Sequence, residues 1–367
     1  MPEWYKIDNI DRIDSPALVV YPSIIQRNIQ LVKEMAGDVN KLRPHVKTNK
    51  MSEVCAYMIQ AGITKFKCAT IAEAEMLGIT NAPDVLLAYQ PVGPKIQRLV
   101  SLVKAYPLTR FSCLVDNEYN AKQIDDECKR EEVSLDVYID LNVGMNRTGI
   151  SPDKAPALIR EILQMANLRI RGIHGYDGHI HNENVEARQK AADSSFALAK
   201  QVFDEIESWF DDRLVMVMGG TPTFPMHVHR EDVECSPGTF VFWDWGYKYM
   251  LRDMPFEYAA LVISRVISVI DEYHICIDLG HKSVAAENPL PRIHFLNVPD
   301  AEPVSQSEEH LVLKVSDSSE YHTGDVFYGV PLHICPTVAL YDKAYVITDN
   351  EKISYWNVVA RNRSINY

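Results

Sequence analysis

The sequence predicts an α/β architecture: a (β/α)8 TIM-like barrel followed by a smaller all-β domain. Three observations carry that expectation. The first two thirds of the chain alternate short apolar runs with longer amphipathic stretches, and eight such runs can be counted. Their cores are continuous rather than alternating, as in parallel strands buried on both faces. After about residue 255 the texture changes to strand-like runs separated by turns, and strong helical periodicity stops.

The eight candidate strands are residues 18–21, 42–47, 66–70, 85–89, 111–115, 135–142, 170–176 and 214–218. Helical segments sit between them. Ser23 reads as the N-cap of a helix carrying Ile24, Ile25, Ile29, Val32 and Met35. Residues 185–210 bring Phe196, Leu198, Val202, Phe203, Ile206 and Trp209 near one helical face, as core positions. Eight βα units in succession suggest a closed barrel. An open doubly wound sheet competes, but it usually shows a glycine-rich turn after its first strand, and Tyr21-Pro22-Ser23 has none. In the last third, residues 261–270, 273–279, 310–315 and 344–347 read as strands, separated by turns such as His322-Thr323-Gly324-Asp325. The expected division is 16–254 for the barrel and 255–367 for the β domain. Residues 1–15 are too few for a domain and are expected to pack on the second.

Composition narrows the function classes. The formal net charge of −13 argues against a nucleic-acid or anionic-membrane surface, since both need a basic footprint. No apolar run reaches bilayer length, and the start Met1-Pro2-Glu3-Trp4-Tyr5-Lys6 lacks a signal pattern. Seven dispersed cysteines fit a reducing cytoplasm better than a disulfide framework.

Barrel enzymes carry their chemistry at the C-terminal ends of the strands. Lys47 ends the second candidate strand, in Arg43-Pro44-His45-Val46-Lys47-Thr48. A lysine at a barrel mouth sheds its proton more readily than one in water, and a neutral amine suits Schiff-base chemistry. A surface lysine is the ordinary alternative. Arg147 follows the sixth candidate strand, Tyr176 and His179 the seventh, and Gly219-Gly220-Thr221-Pro222-Thr223 the eighth. The glycines let backbone N–H groups approach an anion and the hydroxyl adds a donor; Ser236-Pro237-Gly238-Thr239 would complete such a cradle. Two plain turns remain the other reading. His333-Ile334-Cys335 lies in a β-like stretch, where residues two apart face one way. Imidazole and thiolate there suit zinc or another borderline metal with open positions, or else form a structural pair. Asp278-Leu279-Gly280-His281-Lys282 is either site-facing or a solvated turn. His227 and His229 are either a second metal pair or part of a polar surface loop.

Together these segments resemble the D-threonine aldolase and D-serine dehydratase family, the metal-dependent branch of the alanine-racemase-like, fold type III pyridoxal phosphate enzymes. The resemblance covers nearly the whole chain. It is most specific at Arg43–Thr48, Met145-Asn146-Arg147-Thr148-Gly149-Ile150, Gly219–Thr223, Pro237-Gly238-Thr239 and His333-Ile334-Cys335. It implies that Lys47 binds the cofactor aldehyde, with His45 beside it. Arg147 and Tyr176 would flank the ring, and Gly219, Gly220, Thr221, Gly238 and Thr239 would hold the phosphate. His333 and Cys335 would hold a divalent metal (zinc, manganese or magnesium). It further implies a homodimer and a small D-amino-acid substrate, with no nucleic-acid or membrane partner.

Some positions depart from the family pattern. Many relatives carry His where Asn49 stands, and Ser236 replaces the arginine that faces the pyridine nitrogen in alanine racemases. A hydroxyl cannot supply that fixed charge, which weighs against racemase activity. The expected reaction is aldol cleavage of D-threonine to glycine and acetaldehyde. Lys47 is the expected base at Cα, and His179 the histidine near the β-hydroxyl. The alternatives are D-serine dehydration to pyruvate and ammonia, amino-acid racemisation, a non-catalytic pyridoxal phosphate carrier, and a lysine Schiff-base enzyme without that cofactor. A thiolate at Cys335 points toward the dehydratases. The region of residues 278–289 points toward the aldolases.

Overall fold

The computed structural model describes residues 3–367. The chain forms two compact units: residues 32–47, 55–238 and 362–367 make one, and residues 3–31, 48–54 and 239–361 the other.

The first unit is an α/β barrel. Seven strands form a parallel sheet in chain order: Lys65–Cys68, Asp84–Leu87, Arg110–Val115, Leu135–Leu141, Leu168–Gly175, Val215–Met218 and Val233–Cys235. The eighth position is taken by residues 42–46. Leu42 bridges Cys235 at one edge and His45 bridges Lys67 at the other. The Arg43 N–H donates to the Cys235 carbonyl (2.8 Å) and the Val46 N–H to the Lys67 carbonyl (2.9 Å), which closes the cylinder. Asp84–Leu87 and Leu135–Leu141 are buried along their whole length, as burial on both faces of a parallel strand requires.

Between strands lie helices Ile71–Ile79, Pro94–Ala105, Glu118–Arg130, Ala155–Ile162 and Val185–Ile206. Thr70, Asn117 and Asn184 cap three of them through side-chain oxygens, satisfying N–H groups that have no partner in the first turn. Leu86, Leu114, Tyr138 and Val217 fill the barrel interior. Toward the end of the barrel where the strands begin, Arg43 is 1% exposed. Its Nε donates to Glu234 at 2.7 Å, a second nitrogen pairs with Asp84, and its guanidinium lies 5.8 Å from the Tyr138 ring centroid. Burial would raise the Asp84 carboxyl, but the Arg43 charge and hydrogen bonds from Arg43 and Arg110 outweigh it and hold the group below its ordinary value.

The second unit is built on a nine-stranded sheet. Its longest strand, Ala260–Asp271, pairs with Ala17–Val20, His274–Ile277 and Val326–Pro331. Val262, Val266, Ile275, Ile277, Phe295, Leu313 and Phe327 form its core. Near the chain start, the Tyr5 ring lies 5.2 Å from that of Tyr328. No helix among the described residues is long and apolar enough to cross a membrane.

Several readings of the sequence are corrected here. Residues 18–21 are not a barrel strand: Ala17–Val20 runs antiparallel to residues 260–263 and parallel to residues 345–346, in the β-rich sheet. The last barrel strand is instead Val233–Cys235, three residues long. A short apolar run states that it is buried but not which sheet it joins, and a three-residue strand containing Glu234 has too little pattern to register. Ser23 is not a cap, because the helix already begins at Pro22, where a fixed φ and missing N–H suit the first turn. In the long helix, Val202, Phe203 and Ile206 are buried as expected, but Leu198 is exposed.

Candidate active site

The barrel's strand ends gather most of the singled-out residues. Lys47 follows the closing segment in a turn rather than in a strand, and its side chain is exposed at the mouth. The His45 Nδ1 accepts the Lys47 backbone N–H at 3.2 Å, which orients this turn. Across the mouth, the Arg147 guanidinium lies 5.1 Å from the Tyr176 ring centroid and the Lys67 amine 5.4 Å from it. A planar cation prefers the face of such a ring. His179 is exposed beside Gly144; a Cβ at Gly144 would come within 2.9 Å of its Nε2.

The glycine loop follows Val215–Met218. Gly219 has φ +76°, a left-handed conformation that glycine adopts without penalty. A Cβ on Gly220 would stand 3.2 Å from the Tyr176 ring, so the bare backbone is what this loop presents. Thr221 Oγ1 accepts the Gly238 N–H at 3.1 Å and ties the loop to the turn after the last strand. The Ser236 hydroxyl there is buried with no hydrogen-bond partner. An orphaned buried hydroxyl among close-packed glycines fits an absent anionic group. The loop is anchored from below: Asp177, fully buried, accepts from Thr223 Oγ1 (2.9 Å) and bonds His227 Nε2 (2.8 Å). His227 is thus neither a metal ligand nor part of a surface loop, as its sequence setting had suggested, and His229 points to solvent.

In the barrel interior, Lys67 Nζ lies 2.8 Å from His174 Nε2, and His174 Nδ1 lies 2.7 Å from Asp140 Oδ1. Asp140 and Tyr138 share one face of their strand, and Asp140 and His174 are paired in register. Burial raises the Asp140 carboxyl, but the hydrogen bond from His174 and nearby charges prevail, so the group is held low. Burial and the neighbouring Lys67 charge lower His174. Burial first, and the charge of Lys47 second, lower Lys67 to about 7.

In the other unit, His333 and Cys335 do not lie on a strand. The strand Val326–Pro331 ends before them; His333 is the N-cap residue of the short helix Ile334–Val338, and Cys335 lies in that helix. Their side chains nonetheless hydrogen-bond. Glu287 Oε1 is 2.6 Å from His333 Nδ1, and Thr48 Oγ1 is 3.2 Å from Cys335 Sγ. Burial lowers His333, but the bonds to Cys335 and Glu287 outweigh it and raise it to about 9. Asp244, buried and pushed up to about 6 by that burial, accepts the N–H of Ile334 at 3.1 Å and so fixes the backbone between the two. Among the described residues no group of three or more His, Cys, Asp or Glu side chains gathers as a metal cage would. The pair therefore fits a cation only as two ligands with the remaining positions open. Thr239, buried, opens a 3-10 turn with its hydroxyl 3.6 Å from Cys335 Sγ. Asp278 accepts from Ser15 Oγ and the Arg265 N–H, and His281 and Lys282 are exposed, so that segment is a turn.

Two family models match this chain: the alanine racemase N-terminal domain over residues 21–244, and a putative serine dehydratase domain over residues 259–347. The chain belongs to the alanine racemase-like family. It lies in the branch that joins this barrel to the dehydratase-type domain, and membership implies pyridoxal phosphate as cofactor. A D-threonine aldolase of Arthrobacter sp is 26% identical over 366 residues, covering 96% of this chain and 94% of that protein. A D-threo-3-hydroxyaspartate dehydratase of Delftia sp. (strain HT23) is 23% identical over 378 residues, covering 95% and 98%. The crystal structure of D-threonine aldolase from Filomicrobium marinum superposes with a TM-score of 0.87 at 25% identity, covering 95% of this chain and 96% of that one.

Sequence reasoning missed Lys67, Asp140, Asp177, Asp244 and Glu287. His174 and Asp177 stand two residues before Tyr176 and His179 respectively, yet their partners lie 107, 34 and 50 residues away. No local spacing carries that information.

Proposed function

We propose that this chain is a pyridoxal phosphate- and divalent-metal-dependent lyase of β-hydroxy-D-amino acids, converting D-threonine to glycine and acetaldehyde. The observation that carries the proposal is the match of both domains over nearly the whole chain, together with the imidazole–thiol pair in the smaller domain.

In this reading Lys47 would hold the cofactor through its amine, and Gly219, Gly220, Thr221, Gly238 and Thr239 would receive the phosphate. Arg147 and Tyr176 flank the ring. When bound, the pyridoxal ring accepts the electron pair left at Cα. A cation held by His333 and Cys335 supplies Lewis acidity toward the β-hydroxyl. His179, exposed beside Gly144, takes the proton from that hydroxyl as the Cα–Cβ bond breaks and the aldehyde leaves. Lys47 returns a proton to Cα. Atoms balance: the hydroxyl loses one proton, Cα gains one, and one carbon–carbon bond becomes one carbonyl.

The second reading is dehydration of D-serine to pyruvate and ammonia, favoured by the thiol at Cys335. We further propose a cytoplasmic homodimer; the odd, dispersed set of seven cysteines supports the compartment. The test is a product assay with D-threonine, D-serine and their L forms, with and without divalent metal. Glycine plus acetaldehyde from D-threonine supports the aldolase. Pyruvate plus ammonia from D-serine, without acetaldehyde from D-threonine, replaces it with the dehydratase.

A further inference from the structure

Lys67 is a second lysine of the barrel site, and the proposed reaction gives it no task. It is 4% exposed. A lysine this buried ordinarily meets a carboxylate, whereas the hydrogen-bond partner of Lys67 is an imidazole nitrogen. The polarity of the chain follows from its far end. Asp140, held ionised, can only accept, so His174 Nδ1 carries the hydrogen and donates. His174 Nε2 is then a lone pair, and it accepts from Lys67 Nζ. An amine keeps an N–H to donate whether it is neutral or charged, so this line of bonds survives a change of proton at Lys67. Backbone pairing brings the two lysines to the same end of the barrel, since the N–H of Val46, the residue before Lys47, bonds the Lys67 carbonyl at 2.9 Å. The Tyr176 ring covers the amine at 5.4 Å.

We propose that Lys67, steadied by His174 and Asp140, is a proton-holding partner of Lys47. It accepts the proton that Lys47 must shed before its amine can attack, and it returns that proton later. In this step one N–H bond breaks at Lys47 and one forms at Lys67, with no other bond changed. Lys67 acts through Lys47 and is a positioning residue rather than a catalytic one. The inference rests on the reading of Lys47 given above. The groups whose charge reaches Lys67 are Lys47, Asp140, Asp177 and Arg43, with His174 in direct contact. Burial, Lys47 and Arg43 disfavour its charge; Asp140 and Asp177 favour it.

The test uses the full-length holoprotein and the rate constant kcat/KM for D-threonine between about pH 6 and 9. The neutral form of Lys67 does the work, and burial holds it below the ordinary lysine range, so the wild type shows a rising limb within this window. Lys67→Met removes that limb and lowers kcat/KM at alkaline pH by about a hundredfold, the lower end for a positioned proton-transfer group. Asp140→Asn, nearly isosteric, removes a charge that favours the ammonium and moves the limb to lower pH. A second readout needs no turnover: the rate at which protein stripped of cofactor takes up pyridoxal phosphate, followed by absorption, carries the same limb and the same two responses. A limb unchanged in Lys67→Met in both readouts overturns the inference. Should that variant not fold, an unmoved limb in Asp140→Asn overturns it. A chain that fails to cleave D-threonine, yet shows the Lys67-dependent limb in cofactor uptake, loses the proposed activity and keeps this inference.

Discussion

Gly219→Ala tests the anion cradle most directly. Gly219 has φ +76°, and an L-residue in that region costs about 1–2 kcal/mol because Cβ crowds the following carbonyl oxygen. The added Cβ also stands 3.1 Å from the Phe224 Cα and 3.2 Å from the His227 ring. The former is backbone at the start of a short helix, and the latter is pinned by Asp177, so neither gives way freely. Crowding of that kind adds about 1 kcal/mol or more. If the loop keeps its shape, the protein loses about 2–3 kcal/mol of stability, the sum of those two effects. If it relaxes, cofactor binding must restore the shape, and about 2 kcal/mol corresponds to an affinity loss of roughly thirtyfold. Urea unfolding of the stripped protein and a pyridoxal phosphate titration together measure both shares. Gly220→Ala isolates the backbone share in the unfolding experiment. Its backbone is not left-handed, and its nearest neighbour at 3.2 Å is a side chain, the Tyr176 ring, rather than backbone, so the stability loss stays below about 1 kcal/mol. If Gly219→Ala leaves both stability and affinity unchanged, the cradle does not need this conformation and the phosphate assignment falls.

Lys47→Ala abolishes turnover while the unfolding midpoint stays near that of the wild type, because the side chain is exposed; retained activity refutes its role. His333→Ala and chelator treatment suppress activity alike, and chelator-resistant turnover directs attention to racemase chemistry instead. Arg43→Leu leaves Asp84 with Arg110 alone and Glu234 with Lys65 alone, and lowers stability by up to about 3 kcal/mol, the lower end for a broken buried pair, read by urea unfolding. The same network sets an acid limit. Asp84 is lower in the folded than in the unfolded state, so its contribution is complete above the ordinary carboxylate range and disappears as pH falls through its folded value. Asp84→Asn therefore flattens the acid side of the stability curve; an unaltered acid slope contradicts that origin.

The pattern of continuous apolar runs determined the closed barrel, and the change of texture after residue 255 determined the β-rich region; both depend on local periodicity, which a sequence carries directly. The glycine pair, Lys47 and the His333/Cys335 spacing could be singled out because turn chemistry and short spacings are local, although the strand expected to align the last two is a helix start instead. Local pattern did not decide membership. Residues 17–20 and 233–235 each read as short buried runs, and only long-range pairing assigned the former to the β-rich sheet and the latter to the barrel. Tertiary structure also made His227 an anchor rather than a ligand or a loop residue, by burying it against Asp177. It alone assembled Lys67, His174 and Asp140 into one line of hydrogen bonds. A bond between residues 67 and 174 leaves no trace in composition or period, because folding into a closed cylinder, rather than proximity along the chain, brings Lys67 Nζ within 2.8 Å of His174 Nε2.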